Sequence, residues 1–249
     1  MLNYKSFCPL FSIFKKLNRL EASKLKRKLR FLTLLVALLP FMISAQGFKL
    51  PKDQKFQKIN FEMINNLIIV PLEINGAKLT FVLDSGVGKP ILFNLSDQDS
   101  LQINNVSEVT IRGLGDGKPM KALSSKRNIF RLGKAMNFAQ DLYVVMDRGI
   151  DFSTTLGIPV HGIMGYDLFR DFIIEVNYNA RKLKLHNPEL YTYKERRNRQ
   201  TIPLLVEKRK AYVEGTVLMK DTANINVKLL VDTGSSDALW LFPEPEKGL

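Results

Sequence analysis

The chain has 249 residues, of which 45% are apolar and 10% aromatic, and this is enough for a folded core in one or two domains. Its formal net charge of +13 suggests a nucleic-acid ligand, but nine basic residues and only one acidic residue lie within residues 1–30. From residue 46 onward, 28 basic residues stand against 23 acidic ones. Because this balance describes an ordinary solvated surface, we expect no nucleic-acid partner.

The basic start leads into thirteen uncharged residues, 31–43. Such a run is short for a membrane span and typical of the apolar core of a secretory signal. Ala45 followed by Gln46 places a small residue before a polar one. We therefore expect residues 1–45 to be a cleaved signal peptide with a long basic region, and the protein to be exported to the periplasm, the cell surface or the medium. The alternative is an uncleaved amino-terminal membrane anchor.

The sole cysteine, Cys8, lies in this leader, so the mature chain would have neither a thiol nor a disulfide. Residues 46–60 are polar and basic, and we expect a flexible lead-in. From Phe61 onward, short apolar runs broken by Gly, Asn, Asp and Pro predict an all-β structure with little helix.

Two predicted strands flank the glycine-rich stretch Gly113-Leu114-Gly115-Asp116-Gly117. This pattern predicts a β-hairpin with a mobile tip. A phosphate cradle would need a helix directly after the loop, and strand-like alternation follows instead. We therefore do not expect a phosphate site.

The next distinctive feature is Ile163 and Met164 between two glycines, Gly162 and Gly165. Apolar residues bounded in this way predict a buried strand whose ends approach other backbone closely. We interpret the neighbouring His161 as structural or surface-exposed rather than catalytic. A hairpin completes a first unit over residues 61–190, and residues 191–210 read as a charged linker.

The most informative pattern is a repeat, because Asp84-Ser85-Gly86 returns as Asp232-Thr233-Gly234. Each copy follows two predicted strands and precedes another apolar run. An ionised, unpaired carboxylate between buried segments costs several kcal/mol, which disfavours a plain packing role. Ser or Thr can hydrogen-bond neighbouring backbone, and Gly permits a tight turn.

Two such triplets 148 residues apart resemble the aspartic peptidases, and more closely the secreted, two-lobed retropepsin-like proteins of bacteria, which often carry a PDZ domain. The resemblance implies an acid-protease β-barrel lobe, complete once and begun a second time in residues 211–249. It implies Asp84 and Asp232 as the catalytic pair, supported by Ser85, Gly86, Thr233 and Gly234. It also implies a flap at residues 113–117 and support for the first Asp loop from Ile163, Met164 and Gly165.

In this family the two carboxyl groups share one proton and activate a water molecule. The resemblance therefore implies an endopeptidase with a peptide or protein substrate and with no cofactor or metal. Ser85 and Thr233 would join the two Asp loops by hydrogen bonds.

The sequence departs from the family at two points. Val87-Gly88 replaces the small polar residues that usually follow the triplet, and only fifteen residues follow Gly234. We therefore expect a fragment of a longer protein, and a homodimer of first lobes is the alternative. The rival function is a catalytically inactive, protease-like module that binds peptides at the cell surface.

Overall fold

The structure is a computed structural model that describes residues 26–28, 47–93, 101–112, 119–146, 152–195, 197–218 and 224–241. The chain divides into two compact units, Met1–Ala45 and Gln46–Leu249. None of the helices in the described ranges is long and apolar enough to cross a membrane.

The described residues form an all-β fold, which confirms the predicted class. The strands are β1 (Phe56–Asn60), β2 (Glu62–Ile64), β3 (Leu67–Ile74), β4 (Ala77–Leu83), β5 (Ile91–Leu92), β6 (Ser107–Ile111), β7 (Met120–Leu132), β8 (Ala135–Val145), β9 (Gly162–Met164), β10 (Ile173–Asn177), β11 (Lys182–His186), β12 (Leu205–Glu207), β13 (Lys210–Val217) and β14 (Ile225–Leu230). Two short helices, α1 (Phe152–Leu156) and α2 (Tyr166–Asp171), and the 3-10 helix Pro188–Leu190 join them.

Eight strands form the main sheet in the order β2-β3-β4-β9-β5-β8-β7-β6. An additional pairing of β3 with β7, through Ile74 and Phe130, brings the two sides of this sheet together as a barrel. Both residues are fully buried, as are Val70 and Phe81. Every second residue of β4, namely Leu79, Phe81 and Leu83, belongs to the barrel core. This burial fixes the strand that leads to Asp84.

Two parallel pairings distinguish the centre of this sheet. Strand β4 runs parallel to β9, with Leu83 opposite Met164, and β5 runs parallel to β8. Parallel neighbours end at the same edge of a sheet. The residues that follow β4 and β9 therefore emerge side by side.

The segment predicted as a flexible lead-in, residues 46–60, contributes two buried side chains, Phe48 and Ile59, to the barrel core. Phe48 is 3% exposed, and its backbone N–H donates to Asp171 Oδ2 at 2.7 Å. Strand β1 pairs with β11 in a separate three-stranded sheet, β1-β11-β10. The polar composition of the segment concealed the apolar side chains, Phe48 and Ile59, that dock it.

The strands β12, β13 and β14 form a third sheet. Its first strand, Leu205–Glu207, lies within residues 191–210, for which the sequence predicts a charged linker. No residue of these three strands is buried. Beside the sheet, Leu239 and Trp240 are 53% and 63% exposed. This sheet therefore lacks an apolar core of its own within the described residues.

Candidate active site

The first Asp loop begins where β4 ends. The backbone N–H of Asp84 donates to the carbonyl oxygen of Met164 at 2.8 Å, which extends the parallel pairing of β4 and β9 by one bond. A Cβ added at Gly165 would overlap the carbonyl oxygen of Asp84. The predicted support segment, Ile163 to Gly165, thus lies directly against this loop, and glycine at position 165 permits the contact.

The second Asp loop meets the first, and the structure brings Asp84 and Asp232 together. Asp84 Oδ1 accepts a hydrogen bond from the Gly86 N–H at 2.7 Å. Asp232 Oδ1 accepts the equivalent bond from the Gly234 N–H at 2.8 Å. The two triplets therefore adopt matching turns, and the two carboxyl groups also interact with each other through a side-chain hydrogen bond.

Each glycine of the two triplets lies close to the opposite carboxyl group. A Cβ at Gly86 would lie 3.1 Å from Asp232 Cγ, and a Cβ at Gly234 would lie 2.6 Å from Asp84 Oδ2. Real Cβ atoms almost never approach other heavy atoms as closely as the second value. Any larger residue at position 234 would push the two acids apart.

The hydroxyl residues of the triplets join the two loops reciprocally. Ser85 N–H donates to Thr233 Oγ1 at 3.0 Å, and Thr233 N–H donates to Ser85 Oγ at 3.1 Å. Each hydroxyl also donates to the backbone of the other copy, Ser85 Oγ to the Val231 carbonyl at 2.6 Å and Thr233 Oγ1 to the Leu83 carbonyl at 2.8 Å. Both hydroxyl groups thus act as donor and acceptor at once, which fixes their orientation.

Asp84 and Asp232 lie in different electrostatic surroundings. Burial raises the pKa of Asp84 from 3.8 to about 7, assisted by the negative charge of Asp232 and by the hydrogen bond between the two side chains. The backbone N–H groups of Gly86 and Val87 act in the opposite direction. Asp84 is half-buried, whereas Asp232 is exposed. Two neighbouring carboxyl groups in such different surroundings favour a single shared proton, held mainly by Asp84 near neutral pH.

A second charged cluster, which no sequence motif predicted, lies beside the first Asp loop. At its centre is Asp167, a residue that is 3% exposed. It accepts hydrogen bonds from Arg209 at 2.5 Å, from Arg170 at 3.1 Å and from Gln140 at 2.7 Å. The available signal was the acid two residues after the Ile-Met-Gly segment, in the first turn of α2. Arg209 was hidden because it belonged to what read as a charged linker.

The flap, His161 and a metal site are the remaining features that the sequence analysis considered. The predicted flap, residues 113–117, lies outside the described residues. His161 Nδ1 accepts a hydrogen bond from the backbone N–H of Thr80 at 3.1 Å. The backbone N–H of His161 in turn donates to the carbonyl oxygen of Thr80. These bonds tie it to β4, in line with a structural role. No group of three or more His, Cys, Asp or Glu side chains that could hold a metal ion occurs in the part of the chain that the structure describes.

Comparisons with known proteins point to the same region. Residues 70–168 match a family model described as aspartyl protease. This stretch contains Asp84 and the Ile163-to-Gly165 segment. A similar solved structure is that of a retropepsin-like aspartic protease from Rickettsia conorii, at 14% sequence identity, covering 57% of this chain and 94% of that chain with a TM-score of 0.35. No curated protein matches this chain significantly.

Proposed function

We propose that this protein is an exported aspartic endopeptidase that hydrolyses peptide bonds with a water molecule activated by Asp84 and Asp232. The observation that carries the proposal is the joined pair of Asp loops, in which one carboxyl group has a pKa of about 7. The aspartyl protease match over residues 70–168 supports a peptidase class. The substrate class that follows is a peptide or an unfolded protein segment.

In the proposed reaction, Asp232 is ionised and Asp84 carries the shared proton. Asp232 takes a proton from the attacking water molecule, while the proton on Asp84 polarises the carbonyl group of the scissile bond. The tetrahedral intermediate then collapses as a carboxyl proton passes to the leaving amine. The resulting acid and amine carry the added water between them, so the step needs no cofactor.

Peptide cleavage by the full chain tests this assignment. The assay uses a mixture of internally quenched peptides between pH 3 and pH 8. Asp84→Asn and Asp232→Asn should each lower kcat about 100- to 10,000-fold, which is the range for loss of a general acid or base. Asp237→Asn is the matched control, because Asp237 lies in the same loop and hydrogen-bonds Trp240 rather than the other acids. Cleavage that survives Asp84→Asn would remove the catalytic assignment.

A second candidate function is peptide binding without turnover. It is favoured by the exposure of Asp232 and by the absence of buried residues from the sheet β12-β13-β14. Peptide binding with no cleavage by any version of the chain would establish this candidate.

Export is proposed from the thirteen uncharged residues that follow the basic leader. Fractionation of cells that express the full chain, compared with a version lacking residues 2–45, tests export and cleavage of the leader together. The intrachain pairing of Asp84 with Asp232 makes a homodimer of first lobes unnecessary for the proposed chemistry. Sedimentation at working concentration tests for such a dimer.

A further inference from the structure

The turn between β12 and β13 has an unusual backbone. Lys208 and Arg209 have φ values of 47° and 65°, which lie in the left-handed region that residues with a Cβ rarely adopt. Tight hairpin turns of this kind prefer Asn and Gly. Strained conformations persist where the surrounding structure holds them, and they concentrate near functional sites. The contacts of Arg209 show what holds this turn.

Three contacts fix Arg209 to the first lobe. Its Nη2 lies 2.5 Å from Asp167 Oδ1, and its guanidinium stacks over the Tyr166 ring at 4.9 Å from the centroid. Its Cβ lies 3.4 Å from the position that a Cβ on Gly88 would occupy. Gly88 belongs to the loop that follows Asp84, so the stem of Arg209 lies beside that loop.

The strength of the ion pair follows from the burial of one partner. The side chain of Asp167 is 4% exposed and that of Arg209 is 42% exposed. A buried carboxylate requires charged or hydrogen-bonding partners, and Arg209 supplies one of the two guanidinium groups that reach it. The other comes from Arg170, three residues away on the same helix. Arg209 is therefore the partner of Asp167 that comes from the other half of the chain.

A single backbone hydrogen bond connects each Asp loop to a residue at or near the contact of Arg209 with Tyr166 and Asp167. On one side, Tyr166 N–H donates to the Val87 carbonyl in the Asp84 loop at 3.1 Å. On the other side, Val231 N–H donates to the Ala211 carbonyl at 2.9 Å. Val231 directly precedes Asp232, and Ala211 lies two residues after Arg209. Arg209 thus connects the support of one acid to the support of the other.

We propose that Arg209 is a positioning residue that sets the separation of Asp84 and Asp232 by docking the β12–β13 turn onto Asp167, Tyr166 and Gly88. It touches neither the water nor the substrate, and it acts through the two loops. The hydroxyl groups of Ser85 and Thr233 join the two loops directly, whereas Arg209 joins the elements that support them. For its effect on turnover, this inference rests on the proposed peptidase function.

Arg209→Gln in the full chain tests the proposal through the pKa of Asp84, measured by carboxyl NMR titration, together with kcat and KM. If the acids separate, Asp84 loses the influence of Asp232, so its pKa should fall by about one unit from about 7. A role as a simple positive charge predicts the opposite sign, because removing a cation raises the pKa of a nearby acid. We expect kcat to fall about 10- to 100-fold, with KM changed less than about twofold.

Arg170→Gln is the matched control, since it removes the other guanidinium group from the same Asp167 oxygen. Unlike Arg209, Arg170 lies on the same helix as Asp167 and joins no second loop to it. It should leave the pKa of Asp84 and kcat unchanged. Arg209→Lys retains the charge without the planar stack on Tyr166, and its values should lie between those of the wild type and Arg209→Gln. It also serves as the test if Arg209→Gln does not fold.

Three results would overturn the proposal: an unchanged or raised pKa of Asp84 in Arg209→Gln, an equal shift in Arg170→Gln, or wild-type behaviour in every Arg209 variant. Absence of cleavage by the wild type would contradict the proposed peptidase function alone. The NMR titration would still decide whether Arg209 positions the two acids.

Discussion

Replacing Asp84 by Asn should stabilise the protein at neutral pH and not at acidic pH. The folded protein holds the pKa of Asp84 near 7, whereas the ordinary value is 3.8. Between these values the unfolded chain has released the proton and the folded protein retains it. Because the folded state then binds more protons, the free energy of unfolding falls as pH rises through this window. Asn retains the oxygen that accepts the Gly86 N–H and does not titrate, so it escapes this loss.

The magnitude follows from the displacement of the pKa. A change from 3.8 to about 7 corresponds to about 4 kcal/mol. Asp84 is only half-buried, so screening by solvent reduces the expected effect to about 2–4 kcal/mol. The wild type and Asp84→Asn should have similar stability at pH 3. At pH 8 the variant should be more stable by that amount.

Urea unfolding of both proteins at pH 3, 5 and 8 measures this difference. The slopes with urea should match, which shows that both proteins expose the same surface on unfolding. Parallel stability curves across the whole range would refute the reasoning, because Asp84 would then have an ordinary pKa in the folded protein. A growing advantage of the wild type as pH rises would also refute it.

Three further predictions concern the frame of the site. Ser85→Ala and Thr233→Val should each lower the free energy of unfolding by about 1–2 kcal/mol. Because their bonds are reciprocal, the double variant should lose less free energy of unfolding than the sum of the two single losses. Strict additivity would contradict the joined loops. Gly165→Ala should prevent folding or lower Tm sharply, because its Cβ would overlap the backbone of Asp84. Gly215→Ala is the control, because the nearest atom to its added Cβ lies 3.9 Å away, and it should change the free energy of unfolding by less than about 0.5 kcal/mol. Equal effects of the two substitutions would argue against the close approach at Gly165. Trp240, the sole tryptophan, should emit at the long wavelengths of exposed indole and be quenched readily by iodide, and a shielded signal would mean that its loop is covered.

Local patterns in the sequence predicted much of this site. Each triplet combines an acid, a hydroxyl and a glycine, and the turn in which the glycine N–H donates to the Asp carboxylate is local. The bonds of the hydroxyl groups instead reach the other triplet, 148 residues away. The two strands predicted ahead of the first triplet are likewise present as β3 and β4. The Ile163-Met164-Gly165 pattern predicted a strand with close backbone contacts, and the structure places that strand beside Asp84.

Other features depend on distant contacts that no local pattern reports. The barrel closure pairs Ile74 with Phe130, and its register is set by core packing across the sheet. Phe48 docks the lead-in although its neighbours are polar. Arg209 lies in a charged run typical of a linker, and its role depends on a buried acid 42 residues earlier. A single sequence carries no local sign of such a pair.

The pH dependence of kcat/KM for peptide cleavage tests the central claim most directly. Catalysis by this pair requires one proton shared by Asp84 and Asp232, so kcat/KM should decline as pH rises through about 7, where Asp84 loses its proton. Asp84→Asn should lower kcat about 100- to 10,000-fold at every pH. A rate that continues to rise above pH 8, or a rate that Asp84→Asn leaves unchanged, would contradict catalysis by this pair.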